Sequence, residues 1–320
     1  MSATGVTAGV DLGGTKIQTV LLHDDLVVAG SRARTPQTGD PSDVVEALAA
    51  VVEAALREAG AAPGDLRAVG VGAPGAVDAE TGVVTGAANV PGLEGRVEVG
   101  SLLTARLGVP VVVENDADAG ALGEHRRGAG RPFRSLLGVW VGTGVGGGLI
   151  LGGELWRGRR AAGELGHVVV EPDGRPCTCG RRGCLEAYAG RVGLERRARK
   201  LVKGGEKTRL FEIMEERGRE RLTSGVYARA LEEDDRLARK LVDEAAWALG
   251  IALASVQNLL DLEAMVVGGG LADRLGTPFV DRIVEEMTPR LFVADDPPAV
   301  VASELGDLAG AVGAAVLAGG

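Results

Sequence analysis

The chain opens with three apolar runs separated by short polar turns. The runs cover residues 6–10, 17–22 and 26–34, and each has the length of a β-strand. Because the connecting turns are short, consecutive strands are expected to pair antiparallel. The pattern therefore predicts an antiparallel meander at the start of the fold, with residues 11–16 as its first turn.

A helix is predicted directly after the meander. Apolar residues recur at helical spacing from Val44 to Leu56, as they do on the buried face of an amphipathic helix. Asp40 is the predicted N-cap, Pro41 takes the first helical position, and Gly60 ends the helix. Elsewhere the same reasoning predicts strands at 68–72, 109–113, 135–141, 149–151 and 264–267 and helices at 101–107, 234–260 and 307–317.

A strand, a Gly-Thr turn and a second strand occur twice in the sequence. The two copies surround residues 13–15 and 142–148, about 130 residues apart. Such self-similarity suggests two related domains, and 320 residues are enough for both. We expect a smaller α/β domain from residues 1–116 and 305–320 and a larger one from 117–304. The small-residue helix at 307–317 is expected to pack on the first domain.

One uncharged stretch, residues 135–153, is long enough to cross a bilayer. Eight of its nineteen residues are glycine, which disfavours a helix. A buried strand, loop and strand are expected there instead, and no membrane contact.

Composition narrows the class of protein. Hydrophobic residues make up 45% and charged residues 25% of the chain, as in globular proteins. The net charge of −9 argues against nucleic acid as the main partner. The arginines at 191–221, which are interleaved with glutamates, are expected on solvated helix faces.

The first residues lack the pattern of a secretion signal. Without a disulfide framework, a cytoplasmic protein is expected.

All three cysteines of the chain lie within eight residues. They are Cys177, Cys179 and Cys184. Together with His167 they form a Cys₃His set, which structural Zn²⁺ prefers, and Gly180 and Gly183 would let the backbone fold back so that the sulfur atoms converge. The alternatives are small core side chains or a disulfide, although an odd number of cysteines cannot pair fully.

Two acids flank this motif. Glu164 lies three residues before His167, and Glu186 lies two residues after Cys184. A metal ion that fixed the loop would also fix both carboxylates, which suit hydrogen bonding to a polyhydroxylated ligand. The alternative is that both glutamates face solvent, as most glutamates do.

Three Gly-rich turns each follow an apolar strand. They lie at residues 13–15, 142–148 and 268–270, and successive backbone N–H groups in such turns form a concave anion site. Three of them favour a nucleotide held between two domains, whereas each alone would fit a plain hairpin turn. Residues 142–147 also match G-x-G-x-x-G, but a strand is expected after them instead of the helix of a dinucleotide site.

Together these motifs resemble those of the ROK family of repressors and sugar kinases, most closely its bacterial glucokinase branch. The residues that carry the resemblance are Asp11 to Lys16, Gly142 to Gly148, Glu164 to His167 and Cys177 to Glu186. The resemblance covers essentially the whole chain. It implies a two-domain actin/hexokinase-like (RNase H-like) α/β ATPase fold with duplicated meanders and a cleft between the domains. It also implies phosphorylation of glucose to glucose 6-phosphate by ATP with Mg²⁺.

The resemblance further implies roles for individual residues. Asp116 matches the catalytic base and follows a strand end, where ligands bind in α/β sheets; helix capping is the alternative. The positions that match sugar-binding residues are Gly75, Asn89, Asn115, Asp116, Glu164, His167 and Glu186. The positions that match nucleotide-binding residues are Asp11, Gly13, Gly14, Thr15, Lys16, Gly142, Thr143, Gly144, Gly268, Gly269 and Gly270. The positions that match the zinc ligands are His167, Cys177, Cys179 and Cys184.

Several alternatives stay open at this point. The sugar could be N-acetylglucosamine, N-acetylmannosamine or fructose, the donor could be polyphosphate, and the protein could be a sugar sensor without turnover. Repressors of the family carry a helix-turn-helix before the first phosphate motif, and the ten residues before Asp11 are too few for one. The resemblance also implies a homodimer.

Overall fold

The computed structural model describes residues 5–24 and 26–320. The strands are β1 (Val6–Leu12), β2 (Lys16–His23), β3 (Leu26–Arg34), β4 (Leu66–Ala73), β5 (Ala76–Asp78), β6 (Val83–Thr85), β7 (Arg96–Val97), β8 (Val111–Asn115), β9 (Leu136–Val141), β10 (Val145–Leu151), β11 (Glu154–Leu155), β12 (Ala264–Gly268) and β13 (Ala299–Ala302). The helices are α1 (Pro41–Ala59), α2 (Val99–Leu107), α3 (Asp116–Arg127), α4 (Glu186–Ala189), α5 (Arg191–Lys203), α6 (Leu210–Glu216), α7 (Ser224–Glu232), α8 (Arg236–Leu260), α9 (Ala272–Leu275), α10 (Thr277–Met287) and α11 (Ala309–Gly319).

The chain forms two compact units. The first contains the residues up to 134 together with 148–163 and 307–320, and the second contains 135–147 and 164–306. The first unit thus continues past Asp116 through α3, because α3 packs against α11. Of the helices in the described residues, none combines the length and the apolar character needed to cross a membrane.

The first unit is built on a five-stranded sheet of order β3-β2-β1-β4-β8. β2 pairs antiparallel with both β1 and β3, which confirms the predicted meander, while β4 pairs in parallel with β1 and β8 in parallel with β4. The register places Asp11 of β1 beside Gly72 of β4 and Gly72 beside Glu114 of β8. The carboxyl ends of the three parallel strands therefore lie at one edge of the sheet.

Helix α1 begins and ends as the sequence predicts. The Asp40 side chain accepts a hydrogen bond from the Ser42 N–H, Pro41 occupies the first turn, and Gly60 adopts φ 66°. Its apolar face is buried, including Val44, Leu48, Val51, Val52 and Leu56. The capping residues and the buried apolar face thus both confirm the helix that the sequence predicts.

The carboxyl-terminal helix α11 packs on the first unit, as predicted, and it does so through very close backbone contacts. A Cβ atom on Gly9 would lie 1.9 Å from the Ala311 carbonyl oxygen, and one on Gly70 would lie 1.8 Å from that of Ala314. Since any side chain at these positions would collide with the helix backbone, the two glycines of β1 and β4 allow α11 to approach the sheet.

In the second unit, β9, β12 and β13 pair in parallel, with Val267 of β12 beside Val139 of β9 and Ala302 of β13. Helix α8 is confirmed and begins one residue after its N-cap Asp235, whose side chain accepts from the Ala238 N–H. Helices α10 and α5 pack against it.

The second Gly-rich turn is shorter than the sequence predicts. Gly146, Gly147 and Gly148 lie in β10 and not in the turn, which is confined to residues 142–144. A Cβ on Gly148 would lie 2.7 Å from the Ala121 Cβ of α3. The need for close packing, and not for a turn, therefore accounts for this glycine.

Candidate functional site

Cys177, Cys179, Cys184 and His167 converge in the second unit, as the sequence predicts. One potential ligand atom from each residue lies within 4.8 Å of all the others. The Cys177 Sγ is 3.9 Å from the His167 Nδ1, and the sulfur atoms of Cys179 and Cys184 are 3.8 Å apart. All three cysteines are free, so the disulfide alternative is wrong in this structure.

Two glycines with positive φ shape this loop. Gly180 has φ 86° and Gly183 has φ 77°, a backbone region that side chains disfavour. The Cys177 N–H donates to the Arg181 carbonyl at 2.8 Å, which closes the turn between the first two cysteines and the third. A Cβ on Gly183 would lie 1.9 Å from the Glu171 carbonyl oxygen. The predicted use of these glycines is confirmed.

His167 presents its two ring nitrogens to different neighbours. Nδ1 faces the Cys177 sulfur, while Nε2 lies 4.0 Å from a carboxylate oxygen of Glu164. A metal ion held through Nδ1 would therefore fix the orientation of Nε2 and place it beside the Glu164 carboxylate.

Glu186 connects the cysteine loop to the second Gly-rich turn. One of its carboxylate oxygens accepts from the Thr178 hydroxyl at 3.1 Å, and the other accepts from the Val145 N–H at 3.1 Å. A Cβ on Gly144 would lie 2.1 Å from the second oxygen. Gly144 is therefore required for Glu186 to reach the turn, a contact that the motif spacing did not reveal.

The second and third Gly-rich turns lie on neighbouring elements of the second unit. The N–H groups of Arg191 and Val192 donate to the carbonyl oxygens of Gly142 and Thr143, which attaches the second turn to the start of α5. The Leu271 N–H donates to the Val141 carbonyl at 2.9 Å. Gly268 thus ends β12 beside Trp140 of β9, and Gly269, with φ 89°, and Gly270 follow the strand.

Sequence reasoning missed Arg191 and Ser224. The guanidinium of Arg191 donates to the Thr143 hydroxyl at 2.7 Å and to the Ser224 hydroxyl at 2.8 Å. Arg191 lies in the arginine-rich stretch that was expected on solvated helix faces, and that expectation is wrong for Arg191, which is half-buried, and for Glu195, which is buried. The feature of the sequence that could have indicated the role of Arg191 is its position directly after Gly190, where it begins α5.

The first Gly-rich turn lies in the first unit between β1 and β2. The Gly13 N–H donates to the Lys16 carbonyl at 2.9 Å, and the Thr35 hydroxyl donates to the Gly13 carbonyl at 2.6 Å. A Cβ on Gly14 would lie 2.5 Å from the Asn89 carbonyl oxygen. The turn therefore brings Asn89 against the predicted phosphate-binding residues.

Acidic side chains surround Asp11 at the same edge. The pKa of Asp11 is raised from 3.8 to about 7, mainly by burial and then by the nearby charge of Asp116; Lys16 lowers it and Asp307 adds to the rise. The Lys16 ammonium also forms an ion pair with Asp307 at 2.8 Å. The cluster holds three carboxylates and one ammonium group, so a bound cation would relieve its excess negative charge.

Asn115 and Asp116 have distinct places at the end of β8. Asn115 is the N-cap of α3: its side-chain oxygen accepts from the N–H groups of Ala117 and Asp118, and its amide donates to the Gly75 carbonyl at 3.3 Å. Asp116 is the first residue of α3, and its carboxylate accepts from the Ala117 N–H at 2.9 Å. The main capping contacts are thus those of Asn115.

The model of the ROK family matches residues 7–320 of this sequence. The chain belongs to the ROK family. It is 35% identical to a glucokinase of Streptomyces coelicolor over 320 residues, which cover 98% of each protein. It is also 30% identical to an N-acetylmannosamine kinase of Salmonella typhi, again over 98% of each protein.

Solved structures of ROK proteins have the same fold as this chain. A ROK family glucokinase from Streptomyces griseus in complex with glucose and AMPPNP matches with a TM-score of 0.84 and 35% identity, covering 98% of this chain and 99% of that one. A ROK hexokinase from Thermus thermophilus matches with a TM-score of 0.80 and 36% identity, covering 98% and 97%. The predicted two-domain actin-like α/β fold is confirmed for this ROK protein.

The predicted site residues of this ROK chain thus form two groups. The first unit holds those around Asp11, Asn89, Asn115 and Asp116, and the second holds the cysteine loop with Glu164, His167 and Glu186 beside two Gly-rich turns.

Proposed function

We propose that this ROK protein is an ATP-dependent hexose kinase that converts glucose to glucose 6-phosphate. The observation that carries the proposal is the likeness, over 98% of the chain, to a glucokinase whose structure contains glucose and AMPPNP. The arrangement of acids around a Cys₃His cluster, with Gly-rich turns in both units, supports it.

Asp116 is the proposed general base. Its carboxylate takes the proton from the 6-hydroxyl of the sugar, the oxygen forms a bond to the γ-phosphorus of ATP, and the bond to the bridging oxygen breaks to release ADP. Because Asn115 provides the main capping contacts of α3, Asp116 can serve this chemistry without loss of the cap. Gly75, Asn89, Asn115, Glu164, His167 and Glu186 are the proposed sugar-binding residues.

The Gly-rich turns are the proposed phosphate sites. Backbone N–H groups of Gly14, Thr15, Thr143 and Gly144, together with Lys16, would contact the phosphate chain, with Gly13 and Gly142 shaping the two turns, and Gly268–Gly270 would approach the nucleoside. Mg²⁺ neutralises phosphate charge when it is bound, and Asp11, in its cluster of acids, is the residue that would hold it.

Zinc is the proposed structural ion of the cysteine loop. The donor set fits, since three sulfur atoms and one imidazole nitrogen lie within 4.8 Å of one another. The ion would be held by Cys177, Cys179, Cys184 and His167, and it would fix His167 and Glu186 for contact with the sugar.

The second candidate is a kinase for another sugar. The observation that favours it is the 30% identity to an N-acetylmannosamine kinase over 98% of both proteins. Both candidates share the phosphoryl-transfer residues and differ in the sugar that these residues accept.

The deciding experiment is a sugar panel. ADP release from Mg-ATP would be measured with glucose, N-acetylglucosamine, N-acetylmannosamine, mannose and fructose, and repeated with polyphosphate as the donor. We expect the highest kcat/KM with glucose and ATP. Preference for N-acetylmannosamine would move the assignment to the second candidate, and sugar binding without turnover from either donor would favour a sensor.

A further inference from the structure

Arg191 lies between the second and third Gly-rich turns. Its guanidinium donates to the hydroxyls of Thr143 and Ser224, and its backbone N–H donates to the Gly142 carbonyl. A Cβ on Gly270 would lie 3.5 Å from a guanidinium nitrogen and 3.6 Å from the Ser224 hydroxyl. The charged end of Arg191 is therefore placed within one side-chain length of both turns.

In the part of the chain that the structure describes, no carboxylate pairs with the charge of Arg191. Among the described residues, its hydrogen bonds go to two neutral hydroxyls, and no ion pair includes it. The nearest buried acid, Glu195, pairs with Arg199 and Arg221. A half-buried guanidinium without an anion is costly in free energy, so the site favours a negatively charged ligand.

The groups around Arg191 add to its preference for a negatively charged ligand. Burial lowers the pKa of Arg191, the nearby charge of Arg221 lowers it further, and Tyr227 opposes them. Tyr227 is fully buried, and its hydroxyl finds no hydrogen-bond partner among the described residues. An anion beside Arg191 would thus balance a charge that the chain itself leaves unpaired.

We infer that Arg191 binds the phosphate chain of the nucleotide in the second unit, an inference that rests on the proposed kinase function. Guanidinium groups bind phosphate oxygens through two parallel N–H bonds. Arg191 presents such a group beside the backbone N–H groups of a Gly-rich turn and orients the Thr143 hydroxyl at the same time. In this inference it is a binding residue for the donor.

The test uses ligands that differ in their number of phosphates. Binding of adenosine, ADP, AMPPNP and inorganic tripolyphosphate would be measured by calorimetry for the wild type, Arg191→Gln and Arg191→Lys. Gln keeps a neutral donor toward the hydroxyls, which protects the fold, and Lys keeps the charge. The matched control is Lys200→Ala, which removes an exposed cation from the same helix.

We expect Arg191→Gln to weaken AMPPNP binding by about 10- to 100-fold, which is the loss of one hydrogen-bonded charge contact. In the same variant, tripolyphosphate binding should weaken by a similar factor, and adenosine binding should not change. Arg191→Lys should recover part of the lost affinity, and Lys200→Ala should bind all four ligands as the wild type does. Equal losses for adenosine and AMPPNP, or no loss for either, would overturn the inference. A wild type that binds none of the four ligands would instead contradict the proposed kinase function.

Discussion

At the end of β8, two adjacent polar residues contribute unequally to the cap of α3. The Asn115 side chain accepts from the N–H groups of Ala117 and Asp118, whereas the Asp116 carboxylate accepts from that of Ala117. Helix capping and catalysis were rival interpretations of Asp116 from the sequence. The structure assigns the main capping contacts to Asn115, which leaves the catalytic interpretation of Asp116 as the proposal to test.

Replacing Asp116 by Asn should lower kcat by about 10²- to 10⁴-fold, the contribution of a positioned general base. Glucose affinity should stay near that of the wild type, because Asn keeps the size and the hydrogen-bonding capacity of the side chain. Coupled ADP release and calorimetry measure the two quantities. Asp43→Asn, which removes an exposed acid from the first turn of α1, is the control. An unchanged kcat in Asp116→Asn would refute the assignment of the base.

Asp11 makes stability depend on pH in a defined direction. Its pKa is raised from 3.8 to about 7, first by burial and then by Asp116. The folded protein therefore holds a proton that the unfolded chain has lost, and stability falls as the pH rises from 3.8 to about 7. Asp11→Asn removes this dependence.

The thermal midpoint of Asp11→Asn should therefore exceed that of the wild type at pH 8 and approach it at pH 4.5. Melting curves recorded by circular dichroism across this range, in the absence of Mg²⁺, measure the difference. A difference that does not change with pH would contradict the shifted pKa of Asp11.

At the scale of elements, glycines in β1 and β4 decide where α11 packs. Gly70→Ala would place a Cβ 1.8 Å from the Ala314 carbonyl oxygen, and neither backbone can yield without moving the helix. We expect a loss of at least ~2 kcal/mol in the free energy of unfolding. Gly64→Ala, at a position with open space around it, is the control. Equal urea midpoints for the two variants would show that α11 packs less closely.

The cysteine loop is a second element that depends on a few residues. Replacing Cys179 by Ser should remove the proposed zinc and lower the thermal midpoint by at least about 5 °C, because the free energy of metal binding stabilises the fold. Metal content by mass spectrometry and melting curves measure the two effects. Freshly purified wild type without zinc would refute the metal assignment, and full zinc in the variant would remove Cys179 from the ligand set.

Elements with local signals were predicted well, and contacts between distant residues were not. The cap at Asp40, the turn at Gly60 and the cysteine spacing each act within a few residues, so the sequence shows them directly. By contrast, Gly148 allows close packing against α3, and the Arg191 side chain donates to two hydroxyl groups that are far from it in the sequence. Neither role has a local pattern, since both depend on which elements the fold brings together.

For the whole molecule, we predict from its charge that this protein does not bind DNA, unlike the repressors that the family resemblance implies. The net charge is −9, and four of the eight arginines between residues 191 and 221 form ion pairs with glutamates, namely Arg197, Arg199, Arg209 and Arg221. Arg209 alone contacts Glu212, Glu216 and Glu233. A protein with this excess of negative charge releases few counterions from a phosphate backbone, so we expect it to gain little from binding DNA.

Fluorescence anisotropy of a labelled DNA duplex should therefore show no binding up to about 10 µM protein at about 150 mM salt. Adding glucose or a nucleotide should not change this result, because neither supplies positive charge to the protein. A basic helix-turn-helix protein of known affinity provides the positive control. Binding that weakens steeply with added salt would instead reveal a basic face, and it would argue that net charge alone is a poor guide to the partners of this chain.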